Sequence, residues 1–250
     1  MNSEDYLKLG YVELTVKSRA AIIDAFARFC FVSNRQFFPT NEFVLADYAA
    51  YLANHKVKAS SIKTYLSAIY AYQQMNGGPH PARNSLRLKV VLKGIKRAQS
   101  YVPSSKHPLT PVELLKIKRG LDWSSSLDRT FWACLVVGFW SFLRGGNLVQ
   151  KSAKKFDPAK HLGAPCLSRM DNGFLISLNR TKTIQFNEKC LIIPLLAVPG
   201  NALCPEAALE AMWALCPMPE SGSLVSFRDT DGRGKPLVHS KLNGCKCRGG

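Results

Sequence analysis

Ala59-Ser-Ser-Ile-Lys-Thr-Tyr-Leu-Ser-Ala-Ile-Tyr-Ala-Tyr72 and Ser85-Leu-Arg-Leu-Lys-Val-Val-Leu-Lys-Gly-Ile-Lys-Arg-Ala98 are two helical patterns, set apart by Gly77-Gly-Pro79. In the first, Ile62, Tyr65, Leu66, Ile69 and Tyr72 recur at helical spacing and share one face, with Lys63 and Thr64 on the other. Ser60 or Ser61 is suited to cap its start, because a hydroxyl there accepts from the orphan N–H groups of the first turn. In the second, Leu88, Val91, Leu92 and Ile95 turn inward, while Lys89, Lys93, Lys96 and Arg97 fall at i, i+4, i+7 and i+8 on one outward stripe. The pattern predicts a basic ridge on a packed helix.

The same character extends on both sides. Residues 48–112 hold no Asp or Glu and ten Lys or Arg, although 17 acids in 250 residues would place about four there. A solvated helix face ordinarily mixes signs, since opposite charges at i,i+4 attract and like charges repel. Contact with phosphate accounts for both halves of the pattern, because Lys and Arg neutralise the backbone while a carboxylate in the footprint is repelled. The candidate contacts are Lys56, Lys58, Ser60, Ser61, Lys63, Thr64, Lys89, Lys93, Lys96 and Arg97, the hydroxyls serving as neutral donors. Tyr65, Tyr70 and Tyr72 could form a platform for single strands, but Tyr65 and Tyr72 lie on the apolar face of their helix, which favours duplex DNA.

Upstream, Val16, Ala20, Ile23, Ala27 and Phe31 follow helical spacing over 15–31, and Asn41 precedes a further helix through Phe43, Val44, Tyr48 and Leu52. The first domain therefore reads as all-α, residues 1–105, closed by the Pro- and Ser-bearing linker Tyr101-Val-Pro-Ser-Ser-Lys-His-Pro-Leu-Thr-Pro111. In the second domain, 106–250, Thr110-Pro-Val-Glu113 has the form of a capped helix start. Asp128 is placed to cap an all-round apolar helix over 129–143, which should be buried. Phe174, Ile176 and Leu178 alternate with polar residues, and 190–196 is a second apolar run, predicting a hairpin that turns near Asn187-Glu188. Residues 205–215 return to helix, and Leu224 to Phe227 with the turn after Asp229 predicts another hairpin. The fold class expected is mainly α with a small α+β second domain.

Composition limits the function classes. With 34 Lys and Arg against 17 acids the net charge is +17, beyond what solubility requires, and a polyanion is the expected partner. The longest apolar run, residues 131–143, falls short of the roughly 20 that a spanning helix needs. The opening Met1-Asn-Ser-Glu-Asp5 is acidic where a signal peptide is basic. No membrane is expected, and the setting is read as intracellular, nuclear in a eukaryote. The eight cysteines lack CxxC pairs and read as small apolar residues in a reducing compartment. Cys245-Lys-Cys247, even with Cys216 and His239, matches no common zinc spacing, so neither metal nor cofactor is expected.

The order of parts resembles the tyrosine recombinase (integrase) family, of the kind carried by eukaryotic mobile elements. Arg28-Phe-Cys30, Ala59 to Ile69, Leu92-Lys-Gly-Ile-Lys-Arg97 and Lys106-His-Pro-Leu-Thr110 look like its helical core-binding (SAM-like) domain. Gly138-Phe-Trp-Ser-Phe-Leu-Arg-Gly-Gly-Asn-Leu148 looks like the buried helix that runs into that family's first catalytic arginine, here Arg144. Thr181-Lys-Thr-Ile-Gln185 stands where its hairpin lysine is expected, here Lys182, and Leu203-Cys-Pro205 and Gly234-Lys-Pro-Leu237 fit the later helix and strand. The resemblance implies a partial recombinase catalytic domain, metal-free phosphoryl transfer through a tyrosine nucleophile, duplex DNA as partner and a homo-oligomer assembled on it. It also implies a role for each residue: an arginine fork fits phosphate oxygens, and a lysine protonates the leaving oxygen.

The catalytic set implied by the family is incomplete. All eight tyrosines lie between Tyr6 and Tyr101, and Leu242 follows His239 where an H-x-x-R motif needs arginine. Asn147 also replaces the acid usual shortly after the first arginine. The sequence thus predicts a DNA-binding protein with Arg144 and Lys182 but no nucleophile. The alternative is a non-enzymatic DNA-binding or regulatory module derived from a mobile element.

Overall fold

The computed structural model of the chain describes residues 2, 6, 10–11, 13–100, 107–154, 156–158, 160–179, 181, 190–218 and 222–246. The chain divides into two units, Met1–Ser105 and Lys106–Gly250. It is mainly helical, with two small antiparallel sheets in the second unit.

In the first unit, helices α1 (Glu13–Val32), α2 (Glu42–Asn54), α3 (Ala59–Met75) and α4 (Leu86–Ala98) surround one core, α1 packing on α3 and α2 on α4. Asn41 caps α2 as its sequence predicts, its side chain accepting from Phe43 N (3.0 Å) and Val44 N (3.2 Å), and Ser85 caps α4 through Leu88 N at 3.1 Å. The stripe expected on α1 is displaced by one residue. Ile22, Phe26 and Cys30 are buried, whereas Val16 and Phe31 are exposed. Apolar residues flank almost every side of this helix, so spacing alone does not choose among them. The choice falls to Phe26, whose ring packs on Phe29, Phe37 and Tyr48. Burial pushes the Cys30 thiol up to about 11, which leaves it protonated and unreactive at neutral pH.

The start of α3 also differs from expectation. Ser60 and Ser61 lie inside its first turn, and Lys58 occupies the N-cap position, where its side chain makes no capping bond. Deeper in the same helix, buried Gln73 accepts from Thr40 N (2.9 Å) and donates to Thr40 O (3.1 Å) and Pro79 O (2.8 Å), fixing the loops at the far end of the bundle.

In the second unit, α5 (Pro111–Arg119) begins with the predicted capping box between Thr110 and Glu113. Helix α6 (Ser126–Ser141) starts earlier than expected: Ser125 is its cap, accepting from Asp128 N at 3.3 Å, and Asp128 instead receives Asp122 N at 3.0 Å. Its middle is buried as its composition predicts, with Phe131, Trp132, Ala133, Cys134, Val136 and Val137 in the core. It ends at Ser141 rather than Leu143, because Phe142 takes a left-handed conformation. One turn of helix, α7 (Gly145–Leu148), follows. A Cβ on Gly138 would stand 2.7 Å from Leu148 Cδ1, so this glycine lets α7 lie against α6.

A short 3-10 turn (Ala164–Cys166) leads into β1 (Leu167–Met170), β2 (Gly173–Leu178) and β3 (Leu191–Leu196). Strands β2 and β3 pair from Gly173↔Leu196 to Leu178↔Leu191, with Phe174, Ile176 and Leu178 buried as their alternation predicts. The expected turn at Asn187-Glu188 lies outside the described residues. Strand β1 is an addition, since four residues with two exposed in the middle carry no alternation to read. Helix α8 (Pro205–Trp213) covers the core with α6, the hairpin β4 (Ser226–Arg228) and β5 (Gly234–Pro236) forms as expected, and α9 (His239–Lys246) follows. Cysteines 30, 134, 204 and 216 are buried, as expected of most of them, while Cys166 is half-buried and Cys190 exposed. Among the described residues no helix is long and apolar enough to cross a membrane.

Gly173 is required by both space and conformation: its φ is +122°, and an added Cβ would meet Leu195 O at 2.2 Å. Gly173→Ala is expected to destabilise the second unit by about 2–4 kcal/mol. Denaturant unfolding followed by tryptophan fluorescence checks this, because all four tryptophans lie in that unit. A loss under about 0.5 kcal/mol, the range of an ordinary surface change, contradicts it.

Candidate nucleic-acid interface

The first turn of α3 and the outward stripe of α4 meet across a groove of about 630 Å³, lined by Lys58, Ala59, Ser60, Lys63, Lys89, Leu92, Lys93, Lys96 and Gln99. The five lysines and Ser60 are exposed, while the anchoring residues beneath, Ile62 and Leu66 on α3 and Leu88 and Ile95 on α4, are buried. Amphipathic spacing explains why each wall is basic. That the two walls face one another is a property of the bundle.

Gln99 holds the walls together. Its Oε1 accepts from Ala59 N (2.9 Å), and its Nε2 donates to Val57 O (2.8 Å). It thereby supplies from α4 the cap that α3 lacks from its own sequence. A carboxylate at this position would accept the first bond, lose the second and place a negative charge inside the groove. Gln99 was not among the residues predicted from sequence, although it continues the Leu92 and Lys96 spacing of the same face.

Of the ten residues predicted to contact nucleic acid, Lys58, Ser60, Lys63, Lys89, Lys93 and Lys96 share this groove. Lys56, Ser61, Thr64 and Arg97 do not line it. Lys56 has a positive φ of 59° and forms the turn after α2, where Val57 N bonds Leu52 O and Lys56 N bonds Ala53 O, both at 3.0 Å. Ser61 is half-buried, and Thr64 and Arg97 are exposed elsewhere on their helices. Tyr70 and Tyr72 are packed on neighbouring rings, Tyr70 4.8 Å from His80 and Tyr72 5.7 Å from Phe37, and Tyr65 packs against the core of the unit. None of the three lines the groove, so its walls present ammonium groups and aliphatic carbon without a stacking face.

In the second unit, Arg144 is exposed at the start of α7. Asn147 is buried and donates from Nδ2 to Lys160 O at 3.0 Å, and Leu162 N bonds Asn147 O at 2.9 Å, so Asn147 anchors the loop. A bond from His239 N to Gln150 O (3.1 Å) brings His239 to this segment, its Cε1 3.5 Å from the place of a Cβ on Gly145. Nothing in the spacing of the sequence announces that approach. His161 lies close by. Burial holds its imidazole below the ordinary histidine range, and Lys160 and His239 act in the same direction. Lys182 lies outside the described residues. Among the described residues no group of three or more His, Cys, Asp or Glu is placed to hold a metal.

The chain matches no protein-family model and no curated protein sequence.

Gln99→Leu removes both bonds at nearly constant volume and is expected to lower the stability of the helical unit by about 1–3 kcal/mol. Far-UV circular dichroism in denaturant measures the loss, and faster hydrogen exchange at the Ala59 amide localises it. An unchanged midpoint with unchanged exchange contradicts the bridging role.

Proposed function

We propose that this chain binds duplex DNA through the groove between α3 and α4. The observation that carries the reading is the convergence of Lys58, Lys63, Lys89, Lys93 and Lys96 on one groove, within a stretch that contains no carboxylate from residue 48 to 112. Each ammonium that meets a phosphate releases condensed counterions, and the lining of the groove contains no carboxylate to repel that phosphate. Ser60 adds a neutral donor, and the N-terminus of α3 contributes partial positive charge beside it. The absence of tyrosine rings from the lining favours a duplex, whose bases are stacked on one another, over a single strand held by aromatic stacking.

The resemblance to the core-binding and catalytic parts of tyrosine recombinases gives this reading a biological form: a DNA-holding helical unit joined to a unit bearing Arg144 and Lys182. In that family the arginine stabilises phosphoryl oxygens and the lysine protonates the leaving group. The exposed position of Arg144 suits the first role. No tyrosine occurs after Tyr101 in these 250 residues, so the second unit carries no nucleophile of that kind. Binding is the activity assigned to these residues, either as a recombinase-like DNA binder or as a regulatory module of the same descent.

The test is the salt dependence of binding. Lys89→Ala/Lys93→Ala/Lys96→Ala is expected to weaken duplex binding on the order of tenfold or more and to reduce the slope of log K against log salt by about 2–3, near 0.9 for each phosphate no longer neutralised. Unchanged affinity and slope contradict the assignment to this groove. Competition by a structured RNA as strong as by duplex DNA contradicts the preference for DNA.

A further inference from the structure

Phe142 combines two features that each disfavour it. Among the described residues it is the most exposed of the large apolar side chains at 90%, and its backbone is left-handed, φ 52° and ψ 22°. A bulky side chain at positive φ is strained, and such strain concentrates where a residue serves binding or catalysis. Glycine would relieve the backbone and remove the apolar surface at once, so local stability does not explain a phenylalanine here. The conformation is held by its surroundings: Ser141 Oγ donates to Val137 O (2.6 Å) and receives Leu143 N (3.4 Å), ending α6, and α7 begins just beyond.

Two residues later comes Arg144. Phe142 is exposed, Leu143 half-buried and Arg144 exposed, which turns the ring and the guanidinium to solvent from positions no more than about 7 Å apart along the backbone. That is the scale of one nucleotide from phosphate to base. A guanidinium suits the phosphate, and an aromatic face suits a base that has left its stack. Residues 106–250 contain 20 Lys and Arg against 11 Asp and Glu, a balance that favours a polyanion over an apolar protein partner for this surface.

We propose that Phe142 is a base-stacking residue which, with Arg144, engages an unstacked nucleotide of bound DNA. The inference rests on the reading of the chain as a DNA binder and adds a preference to it. Fully paired DNA offers no free base face, so a duplex with a single-nucleotide bulge should be preferred.

The experiment compares the full chain and its Phe142→Gly and Phe142→Trp variants on a paired duplex and on the same duplex with one bulged fluorescent adenine analogue. The unsubstituted chain should prefer the bulged duplex by about fivefold or more and quench the analogue, as expected for one stacked base. Phe142→Gly should keep or raise the thermal midpoint and retain affinity for the paired duplex, while losing the preference and the quench. Phe142→Trp should keep both. Equal preference and quench in Phe142→Gly would overturn the proposal, as would self-association of the unsubstituted chain that this substitution abolishes. Absence of binding to either duplex would instead contradict the DNA-binding reading itself, and the proposal with it.

Discussion

Five ammonium groups around one groove repel one another, and the helical unit has to hold them there with no carboxylate in the groove's lining. Apolar packing supplies the holding force. Ile62, Leu66 and Ile69 on α3 and Leu88 and Ile95 on α4 are buried beneath the walls, and burial of each such side chain is worth roughly 1.5–3 kcal/mol. Gln99 supplies the geometry, tying the first turn of α3 to the end of α4 with one donor and one acceptor and no charge. A glutamate, the nearest isostere, would lessen the repulsion at the expense of the field that the groove presents to phosphate.

The second unit follows a different logic. Its core is built on the buried middle of α6, covered by β2, β3 and α8, and it fixes a loop rather than a charged wall. Gly138 admits Leu148, Asn147 ties the loop to Lys160, and Gln150 draws in His239, so that Arg144 is presented from a segment anchored on several sides. An arginine held this way loses little side-chain freedom beyond its own rotamers when it meets an anion. The strained Phe142 beside it belongs to the same arrangement.

Features set by local chemistry were legible in the sequence. The helix starts at Asn41 and Thr110, the alternation of Phe174, Ile176 and Leu178, and the lysine stripe of α4 each depend on residues a few positions apart, and each takes the predicted form. What was misread depends on the remainder of the fold. The buried side of α1 was decided by ring packing on Phe26, and the cap of α3 comes from Gln99, forty residues away. Asp128 has the residue type of a cap, but Ser125, three residues earlier, takes that position. At the candidate site, six of ten predicted contacts share the groove because two helical periodicities happen to face each other, and the four others point away for reasons of backbone conformation or helix phase.

The central claim is that this groove, and not the basic charge of the chain at large, receives the duplex. Backbone amide chemical shifts recorded on the full chain during a titration with duplex DNA test it most directly. The account predicts that the largest changes fall on residues 58–63 and 89–99 and shrink together as salt is raised. Changes spread evenly over the basic residues of both units, or gathered at the exposed Phe31 and Val32 end of α1 with the groove unaffected, would contradict it.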